Sequence, residues 1–224
     1  RGFVVPAEAA WQDGKPILAK VGQDRKVALG MRRACAVCGY EMARNHHVYR
    51  AFAQGDAAEI RMNERHRSED PSGPLHLSCI LYSSMVCPYL RERTSRLAKT
   101  SDINPGGRRG TRAAIMGFEN FGIMMPAWSH QFLSPAPHFA YLDLAEDIGY
   151  KDGSELIDRY VEAVQSDAEI IDSTKPRLFW TSDDKDQTKL GRALKADFAT
   201  ISAAGNPDFY MELVGQGRFG VIVL

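Results

Sequence analysis

The four cysteines of this 224-residue chain fall in two short stretches of sequence. The first stretch reads RACAVCGYEM and holds Cys35 and Cys38; the second reads PLHLSCILYSSMVCPYL and holds Cys79 and Cys87. Clustered cysteines constrain a fold strongly, because they serve as disulfides, as a redox couple or as metal ligands. Each of these uses fixes which parts of the chain must meet.

Disulfides and a redox couple both fit the sequence poorly. Disulfides persist in oxidising compartments, and no basic start followed by an apolar stretch and a small-residue cleavage site marks this chain for export. A redox Cys-x-x-Cys is expected between a strand and a helix, without a second cluster. Metal binding is therefore the favoured interpretation.

The spacing of the two stretches predicts a closed zinc site. Cys35-x-x-Cys38-Gly39 presents two thiolates from a tight turn, and His76-x-x-Cys79 places two further ligands one helical turn apart on one face. Three soft thiolates and one imidazole in a single four-ligand site favour zinc over iron. We predict a structural Zn²⁺ bound by Cys35, Cys38, His76 and Cys79.

Cys87 is predicted to lie outside this site. On one continuous helix it would be roughly 12 Å from Cys79 along the axis, at about 1.5 Å per residue. Thiolates on one zinc ion lie within about 4 Å of each other. We therefore expect Cys87 to be a small buried residue.

The sequence before the first cysteine pair predicts a hairpin and a helix. Two extended segments flank Asp13-Gly14, a dipeptide that suits a tight hairpin turn because both residues accept positive φ. A helix capped by Asp24 is expected to run through Arg33 and to lead into the first pair.

The order of elements around the cysteines resembles a zinc-binding module. Between the pairs we expect two short strands broken at Gly55-Asp56 and then a loop. A helix that begins near His76 and that Pro88 limits follows the loop. We call the tight turn over Cys35 to Gly39 the knuckle. A knuckle, a hairpin and a second pair of ligands at the start of a helix form the layout of a treble-clef zinc finger.

The rest of the chain predicts a second α+β portion. Residues 113–128, 137–145 and 218–224 are strand-like, and amphipathic helices are expected over residues 154–166 and about 186–201. The predicted apolar face of the first helix consists of Leu156, Ile157, Tyr160, Val161 and Val164. That of the second consists of Leu190, Ala193, Leu194, Phe198 and Ile201.

The charges divide the chain into two electrically opposite halves. Residues 1–112 hold 19 Lys and Arg against 11 Asp and Glu, a balance of +8, and residues 113–224 hold 9 against 17, a balance of −8. Residues 100–112 are polar and basic with a Pro-Gly-Gly break, which is typical of a linker. We therefore expect an α+β fold with a zinc-binding, treble-clef-like module over 1–99, a linker over 100–112 and an acidic α+β portion over 113–224.

The basic half predicts a polyanionic partner. Nucleic acid or an acidic protein would suit it, and the alternative is that the two halves dock on each other. No apolar run approaches the roughly 20 residues of a membrane helix, so we expect no membrane span and a cytoplasmic location. The candidate phosphate contacts are Arg91, Arg93, Arg96, Arg108, Arg109 and Arg112.

Two adjacent histidines raise an alternative function. Treble-clef scaffolds also carry metal-dependent nucleases of the His-Asn-His (HNH) type, and His46 and His47 follow the knuckle where a general base would stand. The sequence NHHVYRAF lacks the acidic residue and the proline of that pattern. His76 also cannot serve both a structural zinc and a catalytic ion, so these two histidines are weak candidates.

Residues 2–90 resemble an uncharacterised family of bacterial, largely actinobacterial, and phage-associated proteins. The shared motifs are a Trp-x-Asp-Gly-x-Pro hairpin, Cys-x-x-Cys-Gly, and a His-x-x-Cys helix ending in Cys-Pro and an aromatic-Leu pair, here Cys87 to Leu90. The resemblance implies metal binding and a phage or mobile-element link, without an activity. It also gives Cys87-Pro88 a structural or metal importance that helix geometry does not, with Cys87 as a potential replacement for His76 or Cys38.

Overall fold

The chain is a mixed α+β protein with an N-terminal antiparallel β-hairpin. The computed structural model describes residues 4–62, 68–70, 72–99, 105–126, 138–213 and 217–224. The strands are β1 (Ala9–Gln12), β2 (Lys15–Val21), β3 (Val48–Phe52), β4 (Ser68–Asp70), β5 (Ala113–Pro126), β6 (Phe139–Tyr150), β7 (Phe209–Leu213) and β8 (Gly217–Val223). The helices are α1 (Gln23–Gly30), α2 (Gln54–Met62), α3 (Leu77–Val86), α4 (Pro88–Arg91), α5 (Ile157–Ile170) and α6 (Asp184–Ala204), with a 3-10 turn over Gly153–Leu156.

The N-terminal hairpin has the predicted turn. Strands β1 and β2 pair antiparallel, with Gln12 opposite Lys15. Asp13 and Gly14 have φ values of 51° and 74°, so both occupy the left-handed region that a tight two-residue turn requires. The structure confirms this element.

The long strand β5 organises the main sheet. It pairs antiparallel with β3, β6 and β8, while β4 extends the sheet beyond β6 and β7 extends it beyond β8. Strand β3 precedes the predicted linker and β5 follows it. One sheet and one hydrophobic core, which includes Val48, Leu81, Phe118 and Tyr141, therefore span both sides of residues 100–112.

The segment between the cysteine pairs departs from the predicted hairpin. Its first piece is strand β3, but the second is helix α2, and β3 pairs with β5 instead of with a neighbour. Gly55-Asp56 lies in the first turn of α2, where an acidic residue is favourable and does not break a helix. Ala57 and Ile60 are buried at helical spacing. The predicted second strand is therefore wrong.

Helix α1 is shorter than expected. It begins at Gln23 and ends at Gly30, and its N-cap is Gly22, so Asp24 stands in its first turn and does not cap it. The predicted extension to Arg33 is wrong, because Arg33 has a φ of 47°, outside helical geometry.

Helix α5 buries a different face from the one predicted. Ala163 and Asp167 are buried, whereas Ile157 and Val161 are each 53% exposed and Val164 is 41% exposed. The helix packs against α3, and Asp167 contacts the first turn of that helix. The predicted apolar face is wrong for the three exposed residues.

Helix α6 matches its predicted position more closely. Asp183 caps it by accepting a hydrogen bond from Asp186 N at 2.9 Å. Leu190 and Ile201 are buried as predicted, and α6 packs on α1, but Phe198 is 43% exposed.

Candidate metal centre

The first cysteine pair lies in a tight turn. Gly39 N donates to Cys35 O and Cys35 N donates to Tyr40 O, each at 2.8 Å, which folds the chain back on itself. Gly39 has a φ of 75°, a conformation that glycine adopts at no steric cost. The turn holds Cys35 and Cys38 on one side, as the sequence predicted.

The second pair lies at the start of α3. His76 is the N-cap residue, with extended backbone (φ −66°, ψ 158°), and its carbonyl accepts from Ile80 N at 3.1 Å. Cys79 is in the first turn of the helix. His76 makes no capping hydrogen bond with its side chain, which instead points to the cysteines.

Backbone hydrogen bonds join the two halves of the site. Ala36 N, inside the knuckle, donates to Pro74 O at 2.9 Å. Leu75 and Tyr49 of β3 exchange two hydrogen bonds, of 2.9 and 3.2 Å. The residues just before α3 are thereby fixed both to the knuckle and to the main sheet.

The four predicted ligands converge on one point. The ligand atoms of Cys35, Cys38, His76 and Cys79 all lie within 4.8 Å of one another, and Cys38 Sγ is 3.3 Å from His76 Nδ1. Cys35 is fully buried, His76 is 4% exposed, and the other two are half-buried. Zinc binds thiolate sulfur at about 2.3 Å and imidazole nitrogen at about 2.0–2.1 Å in a tetrahedron, so this group is near enough to hold one ion.

The electrostatics of the group favour a thiolate at Cys35 and a protonated thiol at Cys79. Burial raises the pKa of the Cys35 thiol, but hydrogen bonds from Cys38, Cys79 and His76 together hold it well below its ordinary value. Burial lowers the pKa of His76, yet its hydrogen bonds to Cys35 and Cys38 raise it to about 10. Hydrogen bonds to Cys35 and Cys38, together with burial, raise the pKa of Cys79.

Cys87 lies outside the group, as helix geometry predicted, but it is half-buried, so the predicted full burial is wrong. It separates α3 from α4 with an extended backbone (φ −73°, ψ 119°), and Pro88 occupies the first position of α4. Its amide donates to Ser83 O at 2.9 Å and its carbonyl accepts from Arg91 N at 2.8 Å. Cys87 thus ends one helix and begins the next.

The acidic portion of the chain supplies a cap for α3. Asp167 of α5 is buried, and its carboxylate accepts a hydrogen bond from Ser78 N at 2.8 Å. Ser78 N is one of the orphan donors in the first turn of α3. Because the His76 side chain is directed to the cysteines, Asp167 takes the place of a local capping side chain.

A second contact from the acidic portion covers the knuckle. We call residues 172–183, between α5 and α6, the strap. Arg177 Nε donates to Cys38 O at 2.6 Å, and Leu178 N donates to Gly39 O at 2.8 Å. A Cβ atom at Gly39 would overlap the Leu178 carbonyl, so only glycine permits this close approach.

The strap is anchored at its far end by α1. The guanidinium of Arg25 donates to Trp180 O at 3.0 Å and to Thr181 O at 2.9 Å. Sequence reasoning did not find Asp167 or the strap. Asp167 follows Val164 by three residues, so the sequence places this acidic residue in line with the predicted apolar face of α5. No pattern in the sequence indicates a contact for Arg177.

His46 and His47 lie in the turn before β3. Both are half-buried, and His47 Nε2 is 3.9 Å from Glu119 Oε1. Among the described residues, one group of three or more Cys, His, Asp and Glu side chains is close enough to hold a metal ion, and neither histidine belongs to it. The structure therefore adds no support for the HNH-like alternative.

Three of the predicted phosphate-contacting arginines lie at the ends of elements: Arg91 ends α4, Arg93 follows it, and Arg112 precedes β5. Arg91 and Arg93 are exposed and pair with Glu92 at 3.2 Å and Glu155 at 3.7 Å. Arg112 is also exposed. Pairing with carboxylates reduces the charge that Arg91 and Arg93 present to a ligand.

Two further arginines lie opposite each other on a short ribbon, residues 94–99 and 105–110, which we call the basic arm. Arg96 and Arg108 form an antiparallel bridge, flanked by hydrogen bonds from Leu97 N to Gly107 O (2.9 Å) and Arg109 N to Ser95 O (3.0 Å). This is a non-hydrogen-bonded pair, in which opposite side chains lie closest together on one face. Both arginines are exposed, and residues 100–104 lie outside the described part of the chain.

Arg109 differs from the other five arginines because it is fully buried. Its Nε donates to Leu90 O at 2.6 Å, and its guanidinium lies 4.8 Å from the centroid of the Tyr150 ring. These contacts fix the base of the basic arm to α4 and β6. A surface contact with phosphate, as predicted for Arg109, is incompatible with this position.

A groove of about 530 Å³ lies between β6 and the start of α5. Its carboxylates are already paired: Glu146 with Arg159, and Asp147 with Arg61 through two hydrogen bonds of 2.6 and 2.8 Å. Carboxylates held in this way are structural ion pairs, and the groove supplies no arrangement of nucleophile and base.

Comparison with protein-family models, with curated proteins and with solved structures found no match to this chain. Among the helices in the described ranges, none combines the length and apolar character needed to cross a membrane.

Proposed function

We propose that this chain is a zinc-binding protein of the cytoplasm in which the ion is structural. One observation carries the proposal: three thiols and one imidazole, two of them buried and two half-buried, converge within 4.8 Å. Four protein ligands close the tetrahedron of zinc and leave no position for a substrate. The ion would join the knuckle to α3, and its binding free energy would contribute to folding.

The treble-clef interpretation is part of this proposal. The knuckle and the ligand pair on the first turn of α3 are present, while β3 and α2 stand between them in place of a hairpin. We also propose that residues 2–90 belong with the phage-associated family that they resemble, whose Cys-x-x-Cys-Gly and His-x-x-Cys motifs would supply all four ligands.

Cobalt substitution tests the ligand set. Co²⁺ bound by three thiolates and one imidazole in a tetrahedron gives intense visible bands and a thiolate charge-transfer band. We expect Cys35→Ser to weaken the charge-transfer band and Cys87→Ser to leave it unchanged. Equal loss in both variants, or an octahedral spectrum in the parent protein, would contradict the proposed ligands.

The partner we propose is nucleic acid, bound through the basic arm. Like charges placed directly opposite each other on a β-ribbon destabilise it, and no carboxylate of the described residues forms an ion pair with Arg96 or Arg108. A phosphate placed between the two guanidinium groups would remove this repulsion. The hydrogen bond from Arg109 to Leu90 holds the base of the basic arm in place, which fixes the direction in which Arg96 and Arg108 face.

The salt dependence of binding tests this partner. The slope of log K against log [salt] is negative, and its magnitude decreases by about 0.7–0.9 for each phosphate that the protein no longer neutralises. We expect a variant with both Arg96→Ala and Arg108→Ala to bind more weakly and to reduce the magnitude of the slope by about 0.7–0.9, since the one phosphate held between the two guanidinium groups is no longer neutralised. The matched control is Arg192→Ala, an exposed arginine on α6.

Absence of binding to DNA and RNA at low salt would remove the nucleic-acid partner. Binding of an acidic protein under the same conditions would then identify the other partner that the basic half can take. Binding that the double variant leaves unchanged would place the interface away from the arm.

A further inference from the structure

Helix α5 carries a row of exposed apolar side chains. Ile157, Val161, Val164 and Ala168 follow one another at spacings of four, three and four residues, which places them on one line along the helix. The first three are the exposed aliphatic residues whose burial the sequence predicted. We call these four residues the α5 row.

An aromatic pair borders the α5 row on the side of α3. Tyr160 of α5 and Tyr82 of α3 are half-buried, with ring centroids 6.3 Å apart. Tyr160 is three residues after Ile157 and four before Val164, so it lies beside the row. The apolar surface therefore continues from α5 towards α3, and tyrosine is a residue type enriched at protein interfaces.

Acidic residues lie on the other side of the α5 row. Asp158 is three residues before Val161 and lies directly beside the row, whereas Glu162 and Glu169 lie further round the helix, beyond Gln165. Asp158, Glu162 and Glu169 are exposed, and none forms an ion pair among the residues that the structure describes. The one basic residue of α5, Arg159, pairs with Glu146 of β6 and does not balance them. The row thus has an aromatic edge and an unbalanced acidic edge.

We propose that the α5 row is a docking surface for an amphipathic helix of another protein that carries basic residues along one edge. Contiguous exposed apolar surface of this kind marks an interaction site, and the row-and-edge pattern is that of a helix seam. Basic residues on the partner would complement Asp158, Glu162 and Glu169.

The acidic edge selects against two other occupants. In a pairing of two copies through α5, the carboxylates of one copy would be brought towards those of the other without counter-charges. An anionic membrane surface would be repelled by the same carboxylates. A basic helix is the occupant that satisfies both the apolar row and the charge beside it.

Two synthetic helical peptides test the surface. Both carry leucine at the spacing of the α5 row; one has lysine and the other glutamate at the positions flanking the leucines. Binding to the full chain is measured by fluorescence anisotropy. We expect the lysine peptide to bind and the glutamate peptide to bind at least about tenfold more weakly, a difference of about 1.4 kcal/mol.

Three variants separate docking from a change in folding. Val161→Asp should abolish binding of the lysine peptide. Asp158→Lys should weaken binding of the lysine peptide and strengthen binding of the glutamate peptide, a reversal that partial unfolding does not produce. Phe198→Asp, at an exposed apolar residue of α6, is the matched control and should leave binding unchanged.

Other results would overturn the proposal. Equal affinity for the two peptides, or binding that survives Val161→Asp, would show that neither the charge nor the row selects the partner. Light scattering that shows a dimer disrupted by Val161→Asp would identify a second copy as the occupant. Binding to anionic vesicles that Val161→Asp abolishes would identify a membrane surface.

Discussion

Replacement of Asp167 tests how the acidic portion supports the metal centre. The Asp167 carboxylate accepts from Ser78 N at 2.8 Å, in the turn of α3 that also carries His76 and Cys79. Asp167→Ala removes the acceptor and leaves the part-buried amide of Ser78 without a partner. Asp167→Asn retains an acceptor oxygen and removes only the charge.

The expected cost follows from the geometry of this hydrogen bond. Loss of an N-terminal cap destabilises a helix by about 0.5–2 kcal/mol, and a hydrogen bond to a charged group contributes about 1.5–3 kcal/mol. We therefore expect Asp167→Ala to lower the free energy of unfolding by about 2 kcal/mol and Asp167→Asn by roughly half of that. Because two metal ligands depend on this turn, zinc affinity should fall by roughly tenfold to thirtyfold in the alanine variant.

Urea unfolding and competition with a zinc chelator measure the two effects. The matched control is Glu169→Ala, an exposed acidic residue of the same helix without an ion-pair partner among the described residues. Its unfolding free energy should change by less than about 0.5 kcal/mol. If Asp167→Ala leaves both stability and zinc affinity at the level of this control, the capping argument is refuted.

Three further predictions concern the site itself. Cys38→Ser should remove stoichiometric zinc and lower the melting temperature, whereas Cys87→Ser should do neither; metal analysis and thermal melts distinguish them, and the same effect in both would contradict the ligand assignment. Gly39→Ala should destabilise the chain by more than about 1 kcal/mol, because it combines positive φ with an overlap with the Leu178 carbonyl; wild-type stability in urea would disprove the strap contact. Without zinc, the raised pKa of His76, about 10, contributes stability that is complete below its ordinary value near 6.5 and is lost as pH rises through 10. Zinc displaces that proton, so zinc affinity should instead rise with pH, by about tenfold per pH unit for each proton released, and a pH-independent affinity in chelator competition would contradict this.

The four residues of the candidate metal centre were predictable because the geometry of each pair is local. Two residues between Cys35 and Cys38 suit a turn, and two between His76 and Cys79 suit one turn of helix, so each pair is fixed by its own short segment. The exclusion of Cys87 followed from the length of the same helix.

Helix α2 shows where local patterns failed. Gly55-Asp56 suits a turn as well as a helix start, and a short segment with two buried residues, Ala57 and Ile60, has too few positions to distinguish the two periods. The predicted local hairpin is absent because β3 pairs with the distant strand β5.

Asp167 and Arg109 show a second limit. Both are charged residues that sequence alone assigns to the surface, and both are buried because a distant backbone group needs a partner. The amide of Ser78, in the first turn of α3, and the carbonyl of Leu90 each need a hydrogen-bond partner. Neither requirement can be recognised before the fold is known. The buried face of α5 includes Asp167 and Ala163, and Val161 and Val164 are exposed.

X-ray absorption at the zinc edge of the purified protein tests the central claim most directly. We predict one zinc ion per chain with three sulfur neighbours at about 2.3 Å and one nitrogen at about 2.0–2.1 Å. The scattering from the outer atoms of the imidazole ring should disappear in His76→Ala. A shell of oxygen and nitrogen alone, or a protein that binds no zinc while all four ligand residues are intact, would contradict a zinc ion held by Cys35, Cys38, His76 and Cys79.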